Sequence, residues 1–399
     1  MARVCIVWQH RILPETRVGR EITALAEAGH EVDVICLLGP GQSRFERRGA
    51  VTFRRLSLRR RRGSFARDLI EHVGFFAVVA LLLGIRQIRR RYSVVQVNSV
   101  PETMVFAAIV PRLLGARVVL DLLEPTPEFF ESRFGVGARH PMIRALSMLE
   151  QASIRFADAA ITCTSLMRDA FTGRGAAPGK VQVIHDGPDE RVFRPNGRPA
   201  HNGASGPFTL ICHGTVEERY GLDTVIRAVA LLKPELPGIR FRIVGDGSYL
   251  PVLEDLARGL GVEESIDFTR AFVPAPDLIE AIDTADMGVV AMKRDAFRDL
   301  TLCAKLFDFI IMRKPTISSR TRSVESYFDE SCLGLFASDD PIDLARAIRE
   351  LHGDPERRRS LAERAAVTAE PYRWTHERER YLGIVEGQIE RARPLLGAR

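Results

Sequence analysis

Three stretches in the second half of the chain carry residue types suited to an anionic ligand. The first, His213-Gly214-Thr215-Val216-Glu217-Glu218-Arg219-Tyr220-Gly221, follows a strand-like run and precedes a helical one. Gly214, with Thr215 next to it, allows close backbone approach, the coming helix start has free N–H groups, and Arg219 supplies a planar fork for phosphate. An ordinary strand–helix turn explains the same glycines. The second, Val244-Gly245-Asp246-Gly247, also ends a strand-like run, and a tight turn is again an alternative. The third runs from Asp295 to Pro315 (DAFRDLTLCAKLFDFIIMRKP) and enters a helix near Thr301 and Leu302. Lys305 and Asp308 are three apart and share a helical face. A cation beside backbone donors suits a diphosphate, and a carboxylate suits the diol of a ribose. A surface ion pair is the competing explanation. Asp299 sits just ahead of the helix as a sugar or acceptor contact, and Phe272 either lines a base pocket or packs in the core.

The first half offers fewer such residues. Glu124 and Glu128 flank Pro125 and Pro127 after a strand-like run, and Glu128 is the best carboxylate for positioning or deprotonating an acceptor hydroxyl. Helix capping competes for it. Asn98, Ser99 and Glu102 follow another strand and suit sugar hydroxyls, and Arg17, with His10 nearby, suits an acceptor phosphate. His185 and Asp186 end a strand at a domain junction. No Cys/His spacing points to a metal site.

These residues need a scaffold, and 399 residues with 46% hydrophobic and 27% charged side chains make two or three globular domains. Short Val/Ile runs without alternation fit parallel strands buried on both faces. They alternate with helical patterns twice over, which predicts two doubly wound Rossmann-like α/β domains facing across a cleft. The expected division is 1–194, a Pro/Gly/Asn/Ser-rich linker at 195–207, 208–371, and a helix in 372–399 that packs back toward the first domain. The six cysteines read as small buried hydrophobes in a reducing compartment, and no secretory signal opens the chain. Neither G-x-G-x-x-G nor G-x-x-x-x-G-K-[ST] occurs, which disfavours an NAD-linked oxidoreductase and a P-loop ATPase.

The order of these motifs resembles the family 4 retaining glycosyltransferases of GT-B architecture, nearest to the bacterial branch that builds surface polysaccharides. The matching segments include TRVGREITALAEAGHEVDVICL (16–37), LDLLEPTPEFFESRFG (120–135), KVQVIHDGPDERVFRP (180–195), HGTVEERYGLDTVIRAV (213–229), FRIVGDGSYLPVLEDLARGLGV (241–262) and DLTLCAKLFDFIIMRKPTISS (299–319). The resemblance implies a nucleoside diphosphate sugar (UDP rather than GDP) held by the second domain. Arg219 and Lys305 then contact the diphosphate, Asp308 grips the ribose in place of the usual Glu, and the sugar is transferred with retention and without a metal or other cofactor. Leu123 stands where the family usually has His, and Leu300 interrupts the usual spaced pair of glutamates. A non-catalytic nucleotide-binding or scaffold relative therefore stays open beside the enzyme.

The basic half of the chain suggests where the acceptor lies. Residues 1–199 hold 30 Lys and Arg against 19 Asp and Glu, and residues 200–399 hold 27 against 32. Nine arginines fall within Arg44–Arg62. Thirteen apolar residues, Val73–Ile85, follow and lead into Arg86–Arg91, too short a run to span a bilayer but suited to an anionic membrane surface. A buried helix beside a solvated arginine loop would look the same. The expected partners are a nucleotide sugar, a lipid-linked saccharide acceptor and an anionic membrane, with the protein peripheral on the cytoplasmic face. No motif supports nucleic acid.

Overall fold

The computed structural model describes residues 1–12, 16–57, 65–99, 101–195 and 206–392, without the side chains of 65–69. Two compact units emerge: Met1–His185 with His376–Arg399, and Asp186–Thr375. The division falls at Asp186 rather than within 195–207, most of which lies outside the described residues. The helix Trp374–Arg391 lies almost wholly in the first unit.

The first unit holds eight strands: β1 (Arg3–Trp8), β2 (Glu31–Leu37), β3 (Phe45–Arg48), β4 (Val51–Leu56), β5 (Val94–Asn98), β6 (Arg117–Leu122), β7 (Ala159–Thr162) and β8 (Val181–Val183), in the order β3-β4-β2-β1-β5-β6-β7-β8. All pair in parallel except β3 with β4. Strand β3, FERR, was hidden inside the arginine-rich stretch, because an exposed edge strand with charges on both faces lacks the apolar signal of the others. Residues 58–62 of that cluster lie outside the described residues. A second element that escaped the apolar pattern is the helix Thr126–Phe134, with proline in its first turn and Gly135 left-handed at its end (φ 62°).

The second unit holds β9 (Thr209–His213), β10 (Arg240–Val244), β11 (Ile266–Phe268), β12 (Met287–Val290), β13 (Thr316–Ser319) and β14 (Gly334–Phe336), all parallel in the order β11-β10-β9-β12-β13-β14. Along β9, Leu210 and Cys212 join one apolar cluster and Ile211 joins the other, so the sheet is buried on both faces. The winding reverses between β9 and β12, the place where open α/β sheets leave a crevice beyond the strand ends. All six cysteines are free.

The Phe65–Arg90 helix contains the thirteen-residue apolar run Val73–Ile85. Its Ile70–Arg90 part is long and apolar enough to cross a membrane by length and composition alone, and 22% of its most apolar window is buried. Phe75, Val79 and Leu83 face inward, whereas Ile70, Val73, Leu81, Ile85 and Ile88 are exposed, as are Leu113 and Leu114 in the packed segment Ile109–Leu113 and its cap.

A buried polar network ties the first unit together. Arg17 donates from Nε and Nη2 to Asp121 Oδ2 and Oδ1 (3.1 and 3.2 Å) and from Nη1 to the Ile184 carbonyl (2.6 Å). Glu21, one helical turn on, lies 3.2 Å from the same Nε. Asn98 donates to Asp121, Gln96 donates to Glu21, and Tyr381 of the C-terminal helix donates to Gln96. Two buried carboxylates thus share one guanidinium. Burial and repulsion from Asp121 outweigh Arg17 and push the Glu21 pKa up to about 8. The folded state then holds a proton that the unfolded chain releases above the ordinary carboxylate range, so this contribution is present at acid pH and lost as pH rises through about 8. Glu21→Gln is expected to flatten that decline: the unfolding midpoint of the variant, followed from pH 5 to 9, falls less than that of the parent. Parallel profiles would remove Glu21 as its source.

Candidate functional site

The C-terminal ends of β9, β10 and β12 gather the second-half residues. Gly214, left-handed at φ 91°, directly follows β9. A Cβ there would lie 2.9 Å from Lys305 Cε, so the lysine side chain rests on the bare backbone. Lys305 sits in the first turn of the helix Ala304–Ile311 and is 8% exposed. Its Nζ lies 3.5 Å from the centre of the Tyr220 ring, and Arg219 Cζ lies 5.4 Å from the same centre. One aromatic ring therefore holds two cations close together, an arrangement worth ~1–2 kcal/mol per partly desolvated contact. Burial pulls the Lys305 pKa down, yet Cys303, Cys212, Tyr220 and Asp308 more than offset it, and the pKa is raised overall. The ammonium keeps its proton at neutral pH. Arg219 and Thr215 are exposed.

Asp308 lies one turn after Lys305, with Oδ2 3.4 Å from Nε2 of His213, the last residue of β9. Burial, then the charge of Lys305, drives the His213 pKa down to about 3, so the ring is neutral and the contact is no ion pair. Lys305 and Asp308 are mostly buried and converge on the end of β9, which excludes the solvated surface pair.

Gly245 and Gly247 prove to serve the backbone. Gly214 N donates to Val244 O at 2.8 Å, and Val216 N donates to Asp246 O at 3.0 Å, so the pairing of β9 with β10 continues into the loops. A Cβ on Gly245 would fall 1.8 Å from Gly214 O, and one on Gly247 would fall 2.0 Å from Val216 O. The Asp246 carboxylate accepts from Gly247 N within its own turn. The glycines admit one loop to the other.

Other expected contacts are committed elsewhere. Thr301 donates its hydroxyl to Phe297 O (3.1 Å), and Leu302 packs on the core. Asp299 receives Arg294 Nε on both oxygens (2.9 and 3.0 Å) and Arg322 N (3.1 Å), so it braces this loop. Phe272 is 65% exposed, which rules out core packing.

The first-half assignments change more. Arg17 and Asn98 are 5% and 1% exposed and belong to the buried network, because the ends of β5 and β6 face a fixed carboxylate, Asp121, that takes both donors. Glu128 receives Arg174 Nη1 at 2.5 Å, and the same guanidinium grips Glu150 through Nε and Nη2 (2.8 and 2.7 Å). Glu128 is thus half of a clip between helices, which stands against its role as a base. Glu124 is half-buried on the loop after β6, beside Leu123, whose N–H donates to Ser99 Oγ at 3.0 Å. Glu102 is buried, receives the Thr126 hydroxyl, and burial lifts its pKa to about 7. His185 is bonded to Glu377 (2.8 Å) within the first unit. Among the described residues no His, Cys, Asp and Glu group is placed to hold a metal.

Sequence reasoning missed Tyr220 as the ring joining the two cations and His213 as the neighbour of Asp308. The Arg-Tyr-Gly triplet carried a signal for the first. A histidine ending an apolar strand carried none.

Comparison with known proteins places this geometry. Residues 14–187 match a glycosyl transferase 4-like domain, and residues 193–368 match glycosyl transferases group 1. A D-inositol 3-phosphate glycosyltransferase 1 of Catenulispora acidiphila is 28% identical over 262 residues, 61% of each chain, and a D-inositol 3-phosphate glycosyltransferase of Saccharomonospora viridis is 28% identical over 52% of this chain and 50% of that one. The chain thus spans about half to three-fifths of the length of these relatives. Sucrose-phosphate synthase of Thermosynechococcus elongatus covers 98% of this chain with all of its own (TM-score 0.77, 16% identity). Anabaena HepE, solved with UDP, covers 97% with all of its own (TM-score 0.71, 12% identity). At such identities the likeness is one of fold. With the two domain models covering most of its length and two Rossmann-like sheets in sequence, the chain belongs to the GT-B glycosyltransferases.

Proposed function

We propose that this protein transfers a sugar, with retention, from a nucleoside diphosphate sugar (UDP rather than GDP) to a lipid-linked saccharide or polysaccharide precursor. The observation that carries the donor half is the convergence of Arg219 and Lys305 on the Tyr220 ring beside Gly214, with Asp308 one turn further on. Two cations and the first turn of the Ala304–Ile311 helix meet the charge that grows on the departing diphosphate, a task a metal performs elsewhere. Asp308 accepts from the ribose hydroxyls. Anabaena HepE was solved with UDP, which agrees with this choice of nucleotide.

The acceptor half rests on a surface. The exposed apolar side chains of the Phe65–Arg90 helix and of Ile109–Leu114 form a face that a lipid-bound acceptor would bring to a membrane. Arg89 and Arg90 end the helix beside it, and attraction to anionic lipid is worth about 1 kcal/mol per well-placed Arg. The protein would then work peripherally on the cytoplasmic side. Inositol 3-phosphate, named for the two relatives, is the competing acceptor. It would need a phosphate contact other than Arg17, whose guanidinium lies in the buried network.

A second reading, a nucleotide-binding scaffold without turnover, is favoured by Leu123 in place of the usual His and by the Arg174 grip on Glu128. It predicts nucleotide binding without consumption of any donor, even with crude lipid acceptor.

Lys305→Ala and Asp308→Ala are each expected to weaken UDP binding in calorimetry by about 1–3 kcal/mol, roughly ten- to a hundredfold. Arg219→Ala, removing an exposed partner, is expected to lose less. Unchanged affinity in all three would put the nucleotide elsewhere. For the membrane, Leu81→Ser with Ile88→Ser is expected to cut co-sedimentation with anionic vesicles severalfold while leaving UDP affinity intact. Undiminished sedimentation would show that this face does not touch lipid.

A further inference from the structure

The carboxylate assigned to the ribose has a neighbour that the donor reading leaves without a task. His213 is 7% exposed, and its Nε2 makes no hydrogen bond. That atom nevertheless lies 3.4 Å from Asp308 Oδ2. Phe309 meets the ring edge-on, centroids 5.2 Å apart and planes at 80°, and so fixes its plane. Burial, with the charge of Lys305 adding to it, keeps the ring uncharged. A buried ring nitrogen left without a partner is costly, and such orphans are rare enough in folded proteins to require an explanation. A lone pair on Nε2 facing a carboxylate oxygen at this distance would be repelled, so the carboxylate demands the tautomer with hydrogen on Nε2. At 3.4 Å the bond is poised but not made. A small turn of the carboxylate closes it.

We propose that His213 is the positioning residue for pentose recognition: with nucleotide bound, its Nε2–H donates to Asp308 Oδ2 and turns Oδ1 toward the ribose hydroxyls. The proposal rests on the nucleotide reading of this site and deepens it. Aspartate is one methylene shorter than the glutamate usual in the family, so its oxygens reach less far and their orientation matters more. A donor fixed on the strand supplies that orientation. The neutral ring matters too, because an imidazolium would compete with the ribose hydroxyls for the same charge. His213 touches no substrate itself and acts through Asp308.

The experiment compares UDP with 2′,3′-dideoxy-UDP, which lacks the hydroxyls, by calorimetry on the full chain. The proteins are the parent, His213→Ala, His213→Gln, Asp308→Ala and the double variant His213→Ala/Asp308→Ala, with unfolding midpoints recorded for each. His213→Ala is expected to weaken UDP about tenfold and dideoxy-UDP hardly at all. The loss should vanish in the Asp308→Ala background. His213→Gln, whose amide N–H reaches a similar place, should recover most of it. Equal losses on both nucleotides, a loss that persists without Asp308, or failure of Gln to rescue at an unchanged midpoint would reduce His213 to a packing residue and overturn the proposal. If Asp308→Ala leaves the preference for UDP over dideoxy-UDP untouched, the ribose assignment itself fails and takes the proposal with it. A His213 failure with Asp308 still discriminating leaves that assignment standing.

Discussion

The interaction on which the proposed donor site depends is a buried lysine kept charged. Lys305 has lost nearly all its water, and burial by itself would drive the proton off. The face of Tyr220 and the acidic groups around the ammonium reverse that tendency. The same charge helps hold His213 neutral and stands one turn from Asp308. Cation, neutral donor and carboxylate therefore occupy one small region without neutralising each other by proton transfer. An anion arriving there meets a positive charge already stripped of solvent, which is where electrostatic attraction is strongest.

Position follows from the sheet. The winding reverses beside β9, the point at which open α/β sheets leave a crevice between diverging segments beyond the strand ends. The loops after β9 and β10 are laced by backbone hydrogen bonds that only glycine at 245 and 247 permits. Rigid loops matter because a site that must form around each ligand loses affinity to ordering entropy.

The first unit places its charge differently. Arg17, Glu21, Asn98 and Asp121 are spent on holding β5, β6 and the N-terminal helix together, and Tyr381 brings the C-terminal helix into the same network. Glu128 is spent with Arg174 and Glu150 on holding helices. Polar side chains at strand ends are thus a poor guide to a substrate site when an oppositely charged partner is available inside the fold. Glu102 and Glu124 remain near the end of β6, with the Glu102 pKa near neutral.

By itself the amino-acid order determined the alternation of strands and helices, the two Rossmann-like sheets and the nearness of Lys305 to Asp308. These follow from local patterns: apolar runs bounded by glycine and proline, and a lysine and an aspartate three residues apart on a helix. The strand β3 and the helix Thr126–Phe134 escaped it, because neither shows the apolar pattern that marks the rest. Only the tertiary structure decided the partner of each charge. Arg17 meets Asp121 across 104 residues, Arg174 meets Glu128 across 46, and His213 meets Asp308 through the packing of a helix on a strand. Such pairs depend on the direction of a side chain after long-range packing, and no local spacing encodes that direction.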